Sequence, residues 1–129
     1  MKLLLDTHSF IWSLTQPDRL SATARSLLSS RQNDVLLSTV VVWEIAIKAA
    51  LGKLPVQPHI RSWLPKYIQA LGYRVLPVDL SHAVALEDLP AHHRDPFDRL
   101  LIAQARVEQA TLVSRDAILA RYDVPVIWN

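Results

Sequence analysis

The chain has 129 residues, of which half are hydrophobic and a fifth are charged, and it contains no cysteine. This composition predicts one domain, residues 1–129, that buries a substantial core without disulfides. The formal net charge of +2, from 14 basic and 12 acidic residues, is too small to indicate a nucleic-acid-binding surface by itself. No apolar run approaches the length that spans a bilayer, and Asp6 interrupts the first one before it reaches the length of a signal peptide. We therefore expect a cytoplasmic protein without a membrane segment.

Short apolar runs alternate along the chain with segments of helical periodicity. Such runs are typical of buried strands in a parallel sheet that is covered on both faces. Pro77 and Pro125 indicate that the runs containing them lie at sheet edges. The sequence therefore predicts a three-layer α/β domain with a central five-stranded, mainly parallel sheet flanked by helices. The predicted strands are Lys2–Leu5, Asp34–Ser38, Tyr73–Val78, Thr111–Ser114 and Val124–Trp128.

Several helices are expected between these strands. Ser21 is suited to cap one that ends near Ser30, and Pro65 is expected to kink or split another over Ile60–Leu71. Shorter helical segments are predicted at Ser9–Leu14, at Ala83–Leu89 with Ser81 as its cap, and at Asp116–Tyr122.

The segment that begins at Asp95 has the features of a helix N-terminus. Asp95 suits the N-cap, and Pro96 falls at the first helical position, where its missing N–H costs nothing. Asp98 follows at the third position, where a carboxylate faces the positive end of the helix dipole. Capping and dipole effects account for both acids, and a metal-ligand role for Asp98 is the alternative.

An apolar helix is predicted from Val40 to about Ala50, with Ser38 or Thr39 as its cap and a stop at Gly52. It is apolar nearly all round, so we expect it to be largely buried. Glu44 lies in its middle. It could form an ordinary ion pair with Lys48 one turn later, or it could belong to a functional site.

Four acids are placed where they could meet. Asp6 and Asp116 follow apolar strands, and ligands of parallel sheets bind outside the carboxyl ends of the strands. Glu44 and Asp98 lie on helices that could face the same crevice. At about 5 Å and an effective dielectric constant near 20, each like-charged pair costs roughly 3 kcal/mol. Either some carboxylates stay protonated or a divalent cation neutralises them, and oxygen ligands without cysteine favour Mg²⁺ or Mn²⁺ over Zn²⁺.

Four sequence motifs carry these acids. They are Leu4-Leu5-Asp6-Thr7-His8; Trp43-Glu44-Ile45-Ala46-Ile47-Lys48 with Gly52-Lys53-Leu54; His93-Arg94-Asp95-Pro96-Phe97-Asp98-Arg99-Leu100-Leu101-Ile102-Ala103-Gln104-Ala105; and Leu112-Val113-Ser114-Arg115-Asp116. Together, and in this order, they resemble PIN-domain ribonucleases, most of all the VapC-type toxins of bacterial and archaeal toxin–antitoxin modules. The resemblance runs from about residue 2 to residue 128.

The resemblance implies a Mg²⁺-dependent endoribonuclease that leaves a 5′-phosphate and a 3′-hydroxyl. Asp6, Glu44 and Asp98 match the three main acids of the family and Asp116 its more variable fourth, with Asp6 and Asp98 as direct metal ligands. Thr7 matches a hydroxyl residue placed near water or phosphate, although a turn-capping hydroxyl is equally compatible with the sequence. The resemblance also implies a homodimer and an antitoxin partner, for which Phe10, Ile11 and Trp12 and the helix over residues 40–50 are candidate contacts.

Other polar and aromatic residues have weaker claims to a function. Arg94, Arg99, Arg115 and Lys48 flank the acids and could contact RNA phosphates or, for Arg99 and Arg115, position substrate or water, although each could be a solvated charge. Asp95 is best explained as a cap. The histidines lack metal-ligand spacing, and only His8 lies near the acids. We expect Trp12, Trp43, Trp63 and Trp128 to serve the core or an interface rather than base stacking.

Two alternative functions remain at this stage. A metal-dependent phosphatase or phospho-acceptor domain would also place an acid after the first strand, but such phosphatases need a second aspartate where this chain has His8. A catalytically silent PIN-like interaction module would be expected to lose one or more of the four acids, and all four are present.

Overall fold

The computed structural model describes residues 1–92 and 95–129. Its strands are β1 (Lys2–Leu5), β2 (Asp34–Ser38), β3 (Arg74–Leu76), β4 (Thr111–Val113) and β5 (Val126–Ile127). They form one sheet in the order β3-β2-β1-β4-β5, and every neighbouring pair is parallel. The predicted five-stranded parallel sheet is confirmed. The two strands with nearby prolines are its edges, as predicted, and both are shorter than expected.

The described residues also form six α-helices and four short 3₁₀ segments. The α-helices are α1 (Thr7–Thr15), α2 (Ala22–Ser29), α3 (Thr39–Ala50), α4 (Leu64–Leu71), α5 (Leu80–Ala85) and α6 (Pro96–Glu108). The 3₁₀ segments are Pro17–Arg19, Ile60–Ser62, Leu86–Asp88 and Ala117–Arg121. Among these residues no helix combines the length and the apolar character that crossing a membrane requires.

Local capping signals fix most of the helix starts. Ser21 and Ser38 accept hydrogen bonds from the first turns of α2 and α3, as predicted. Pro65 splits its segment, because a proline is accommodated in the first turn of α4 but not in a helix interior. The predicted cap at Ser81 is wrong. The helix begins earlier, at Leu80, where Asp79 and the buried His82 form a reciprocal capping arrangement.

The core lies around the three inner strands of the sheet, β2, β1 and β4. The side chains of β1 and the middle of β2 are buried on both faces of the sheet, and the inward face of α6 covers part of it. Because β1 and β4 pair in register from Leu3↔Thr111 to Leu5↔Val113, they end side by side. The residues that follow Leu5 and Val113 are therefore brought together at one edge of the sheet.

The prediction that α3 is largely buried is wrong. Val40, Val41 and Ile45 are buried, but Trp43 is 56% exposed and Ile47 is 40% exposed. The helix packs one face on the domain, and its opposite apolar face is left in solvent. The helix ends as predicted, with Gly52 in the left-handed region at φ 68° just beyond its last residues.

Candidate functional site

Asp6 lies at the carboxyl end of β1 and is bound on both of its carboxylate oxygens. It caps α1, because its Oδ1 accepts the backbone N–H of Ser9 at 2.9 Å. Its Oδ2 accepts the hydroxyl of Ser114 at 2.5 Å. Only 8% of the residue is exposed. The carboxylate is thus fixed in position and largely removed from water.

Ser114 joins Asp6 to the segment that follows β4. Its oxygen also accepts the backbone N–H of Asp116 at 3.0 Å. Asp116 in turn caps the 3₁₀ helix with a bond of 2.9 Å from the N–H of Ile118. The carboxylate of Asp6 is therefore connected through a single hydroxyl to the backbone of Asp116, a residue 110 positions later in the chain.

Glu44 is buried in α3, with 4% of its surface exposed. Its Oε1 accepts a hydrogen bond from the Thr7 hydroxyl, and its Oε2 pairs with Lys48 one turn along the helix. The i,i+4 ion pair with Lys48 exists, but the Glu44 side chain that forms it is buried and not at an exposed edge of the helix. Because Thr7 follows Asp6 directly, this contact ties Glu44 to the segment that carries Asp6.

Lys48 links Glu44 to the start of α6. The hydrogen bond to Glu44 raises the pKa of the Lys48 ammonium, burial opposes this, and the charges of Glu44, Asp95 and Asp98 raise it further. The Lys48 ammonium therefore interacts electrostatically with all three carboxylates. It supplies a positive charge beside Glu44, whose carboxylate is almost entirely removed from water.

Asp95 and Asp98 occupy the positions predicted from the sequence. Asp95 caps α6 through bonds of 2.8 Å from the N–H of Phe97 and 3.3 Å from the N–H of Asp98. Asp98 is half-buried on the first turn. The Phe97 ring lies edge-on to Trp43, with ring centroids 5.1 Å apart, so α6 begins against α3.

The donor chemistry suits a hard divalent cation, because every acid at the site offers carboxylate oxygens. Asp6 and Glu44 are buried carboxylates held by hydroxyl and backbone donors, and Glu44 already balances one cation, the Lys48 ammonium. Within residues 1–92 and 95–129, however, no three of these groups stand close enough together to enclose a metal ion. The residue types thus fit such a cation, but the carboxylates of Asp6 and Glu44 are paired with donors from the protein itself.

The arginines divide into two kinds. Arg99 donates to the carbonyl oxygen of Pro90 at 2.9 Å and of Leu89 at 3.4 Å, which anchors the segment before α6. Arg115 is exposed beside Asp116. Arg94, for which contact with RNA phosphates was predicted, lies outside the described residues.

Ser114 is the site residue that sequence reasoning missed. The sequence predicts it only as the end of the fourth strand and as a member of the motif that ends at Asp116, with no role of its own. The available signal was a hydroxyl directly after a strand that pairs with β1. Recognising it requires the order of the strands in the sheet, which local sequence patterns do not reveal.

A five-stranded, all-parallel sheet with acids just beyond the carboxyl ends of β1 and β4 defines an α/β protein with an acidic strand edge. Residues 3–125 match the PIN domain, so the chain belongs to the PIN-domain family.

Curated relatives agree with this membership. The chain is 38% identical over 68 residues to Ribonuclease VapC16 of Mycobacterium tuberculosis, a match that spans 50% of this chain and only 48% of that protein. It is 28% identical over 132 residues to Ribonuclease VapC22 of the same organism, spanning 98% of each. Among solved structures, VapBC2 from Rickettsia felis bound to a promoter DNA fragment contains a similar chain. The TM-score is 0.75 at 16% identity, with 100% of both chains covered, which shows the fold alone.

Proposed function

We propose that the chain is a single-domain, metal-dependent endoribonuclease of the VapC type and the toxin of a toxin–antitoxin pair. The observation that carries this proposal is the connection of Asp6 to Asp116 through Ser114, beside a buried Glu44 held by Thr7. Membership of the PIN-domain family and similarity to two proteins named as ribonucleases support the same activity.

In this proposal Asp6 and Asp98 hold Mg²⁺, or Mn²⁺ in its place, and Glu44 and Asp116 assist directly or through water. A divalent cation bound there would supply Lewis-acid activation of water and neutralise charge on the phosphate during hydrolysis. The products would be a 5′-phosphate and a 3′-hydroxyl.

The protein's own contribution is to hold the oxygen donors still. The backbone of Ser9 and the hydroxyl of Ser114 fix the two oxygens of Asp6. Thr7 and Lys48 fix those of Glu44, so we assign Thr7 as a positioning residue for Glu44. Arg115, exposed next to Asp116, is our candidate for contact with RNA phosphates, while Arg99 anchors the chain before α6.

The test is cleavage of RNA by purified protein with Mg²⁺ or Mn²⁺ and with EDTA. We expect cleavage that EDTA abolishes and that Asp6→Asn and Asp98→Asn each reduce by at least about 100-fold, a loss of roughly 2.7 kcal/mol in transition-state stabilisation. Asp18→Asn, at an exposed position, is the matched control and should cleave as the wild type does. Equal cleavage by the wild type and both site variants would sink the proposal.

One observation favours a second candidate, a catalytically silent PIN-fold interaction module. The charge of Glu44 is neutralised by Lys48, and among the described residues no three acids lie close enough together to bind one metal ion. This candidate predicts no cleavage in either metal. It also predicts no change in thermal stability when Mg²⁺ or Mn²⁺ is added, whereas ligand binding to the folded state would raise it.

The antitoxin of the proposed pair is expected to bind the exposed side of α3. A groove of about 580 Å³ there is lined mainly by apolar side chains of α3 and α4, including Val42, Trp43, Ala46, Leu64 and Ile68. An amphipathic helix is the usual occupant of such a groove. Phe10 and Ile11, at 0% and 2% exposure, are buried in the core, so the expectation that they contact a partner is wrong.

Size-exclusion chromatography tests both assemblies. We expect the chain alone to elute as a homodimer. With the small protein encoded beside it in the genome, it should form a complex that Trp43→Asp weakens. Trp63→Asp is the control, because the Trp63 side chain does not line this groove. An unchanged complex with Trp43→Asp would exclude this groove.

A further inference from the structure

Three aromatic rings form a row that begins at His8, two residues after Asp6 in the chain. The rings of His8 and Trp12 have centroids 5.7 Å apart, and those of Trp12 and Trp128 are 5.9 Å apart. The Arg19 guanidinium carbon lies 4.9 Å from the centroid of the Trp12 ring. We call His8, Trp12 and Trp128, together with Arg19, the aromatic row.

The strand order places this row next to the candidate site. His8 is two residues from Asp6, on the first turn of α1. Trp128 directly follows β5, and β5 pairs with β4, whose end carries Ser114. The Ser21 hydroxyl bonds to the backbone carbonyl of Trp128 and holds this terminal segment against the N-terminus of α2.

The row differs in character from the groove on α3. His8 and Arg19 are exposed, and Trp12 and Trp128 are half-buried, each packing on the core with part of its surface left to solvent. The groove is lined mainly by aliphatic side chains, whereas the row consists of three aromatic rings with a guanidinium beside the middle one. Unpaired bases stack on both of these groups, and the arginine complements a phosphate backbone. An apolar protein surface would not need the cation.

We propose that the aromatic row binds unpaired bases of a single-stranded RNA whose backbone passes Asp6. This proposal rests on the proposed function, because it assigns the surface that contacts the bases of the RNA that the same site receives. It also revises the sequence-based expectation that Trp12 and Trp128 serve only the core or an interface. Double-stranded RNA keeps its bases stacked on one another and would gain nothing from the row.

The experiment measures RNA binding in EDTA, so that no cleavage intervenes. Fluorescence anisotropy compares a labelled, unstructured 12-nucleotide RNA with a blunt duplex of the same length. We expect the single strand to bind more tightly and to quench tryptophan fluorescence. Trp12→Leu and Trp128→Leu should each weaken its binding by about 5- to 150-fold, the range that loss of one stacked base produces. His8→Ala and Arg19→Gln should weaken it less.

Trp63→Leu is the matched control, because Trp63 is also half-buried but pairs with Tyr67 instead of with the row. If a tryptophan variant fails to fold, as judged by circular dichroism, His8→Ala and Arg19→Gln still decide the matter, since both replace exposed side chains.

Two results would overturn the proposal: equal affinity for single strand and duplex, or unchanged single-strand affinity in the folded row variants. A row variant that loses the homodimer but binds RNA normally would also overturn it, by making the row a protein interface. The proposed function is tested separately. If the row variants weaken RNA binding but no cleavage occurs in Mg²⁺ or Mn²⁺, the aromatic row is supported and the nuclease function is rejected. If cleavage occurs but the row variants bind RNA as the wild type does, the nuclease function is supported and the row is rejected.

Discussion

The hydroxyl of Ser114 donates a 2.5 Å hydrogen bond to Asp6 across the ends of two paired strands. The same oxygen accepts the backbone N–H of Asp116, so this one side chain holds the carboxylate of Asp6 and the backbone of Asp116. A carboxylate with one oxygen on a backbone N–H and the other on a hydroxyl has little rotational freedom left.

Replacing Ser114 with alanine should therefore affect both folding and function. We expect Ser114→Ala to lower the free energy of unfolding by about 1–3 kcal/mol, because a buried carboxylate oxygen loses its donor. We expect metal-dependent cleavage to fall by about 10- to 100-fold, as is usual when a group that orients a metal ligand is removed.

Ser9→Ala is the control for that experiment. The Ser9 hydroxyl is also buried, but it donates to the backbone carbonyl of Val113 at 3.0 Å and does not contact Asp6. Its loss should cost similar stability, by urea titration, with little change in cleavage. Equal losses of cleavage in the two variants would show that Ser114 acts only on folding.

The ion pair of Lys48 with Glu44 leads to a second prediction. Lys48→Met leaves a buried carboxylate without its counter-ion, which costs about 3–5 kcal/mol when both partners are fully buried. The Lys48 side chain is 31% exposed, so we expect a smaller loss of about 1–3 kcal/mol in the free energy of unfolding. Lys53→Met, at an exposed position, should lose almost nothing in the same urea titration. Matching midpoints for the two variants would contradict a stabilising role for the pair.

Local signals in the sequence were sufficient for most of the fold. Ser21, Ser38 and Asp95 cap their helices as expected, since a capping bond spans only two or three residues. The parallel sheet followed from uninterrupted apolar runs separated by helices. The error at Ser81 has a tertiary cause, because the earlier start at Leu80 depends on burial of His82 and its bonds to Asp79 and Glu108.

The candidate site was only partly predictable, for a related reason. The acids could be placed at strand ends from the sequence, but their partners lie far along the chain. Thr7 is 37 positions from Glu44, and Ser114 is 108 positions from Asp6. Arg99 could equally have faced RNA or the protein, and only the path of the chain at Leu89 and Pro90 shows the carbonyl groups that it binds.

A third prediction concerns pH and the pair that joins β2 to β3. The bidentate hydrogen bonds from Arg74 lower the pKa of Asp34 below its ordinary value of 3.8. A lowered pKa in the folded state contributes stability above the unfolded pKa, and this contribution is lost as the pH falls through the folded pKa. Both side chains are about half exposed, so the contribution should be below about 1 kcal/mol.

The measurement compares the wild type with Arg74→Gln in urea at several pH values. The wild type should be slightly more stable at pH 6, and the difference should shrink as the pH falls below 3.8, where Asp34 becomes protonated in both proteins. A difference that persists unchanged in acid would mean that Arg74 stabilises the sheet by packing instead of by charge.

Mutations should distinguish the roles of the two acids at the start of α6. Asparagine caps helices about as well as aspartate, so Asp95→Asn should leave stability nearly unchanged, while Asp95→Ala should cost about 0.5–2 kcal/mol. Asp98→Asn keeps a polar side chain at the third helical position and loses the favourable charge at the helix N-terminus, which is worth about 0.3–1 kcal/mol. If Asp98 holds the cation and Asp95 is a cap, cleavage should vanish in Asp98→Asn and survive in Asp95→Asn. Thermal unfolding and RNA cleavage, measured on the same preparations, check both parts. Full activity of Asp98→Asn, or its loss in Asp95→Asn alone, would reverse the two assignments.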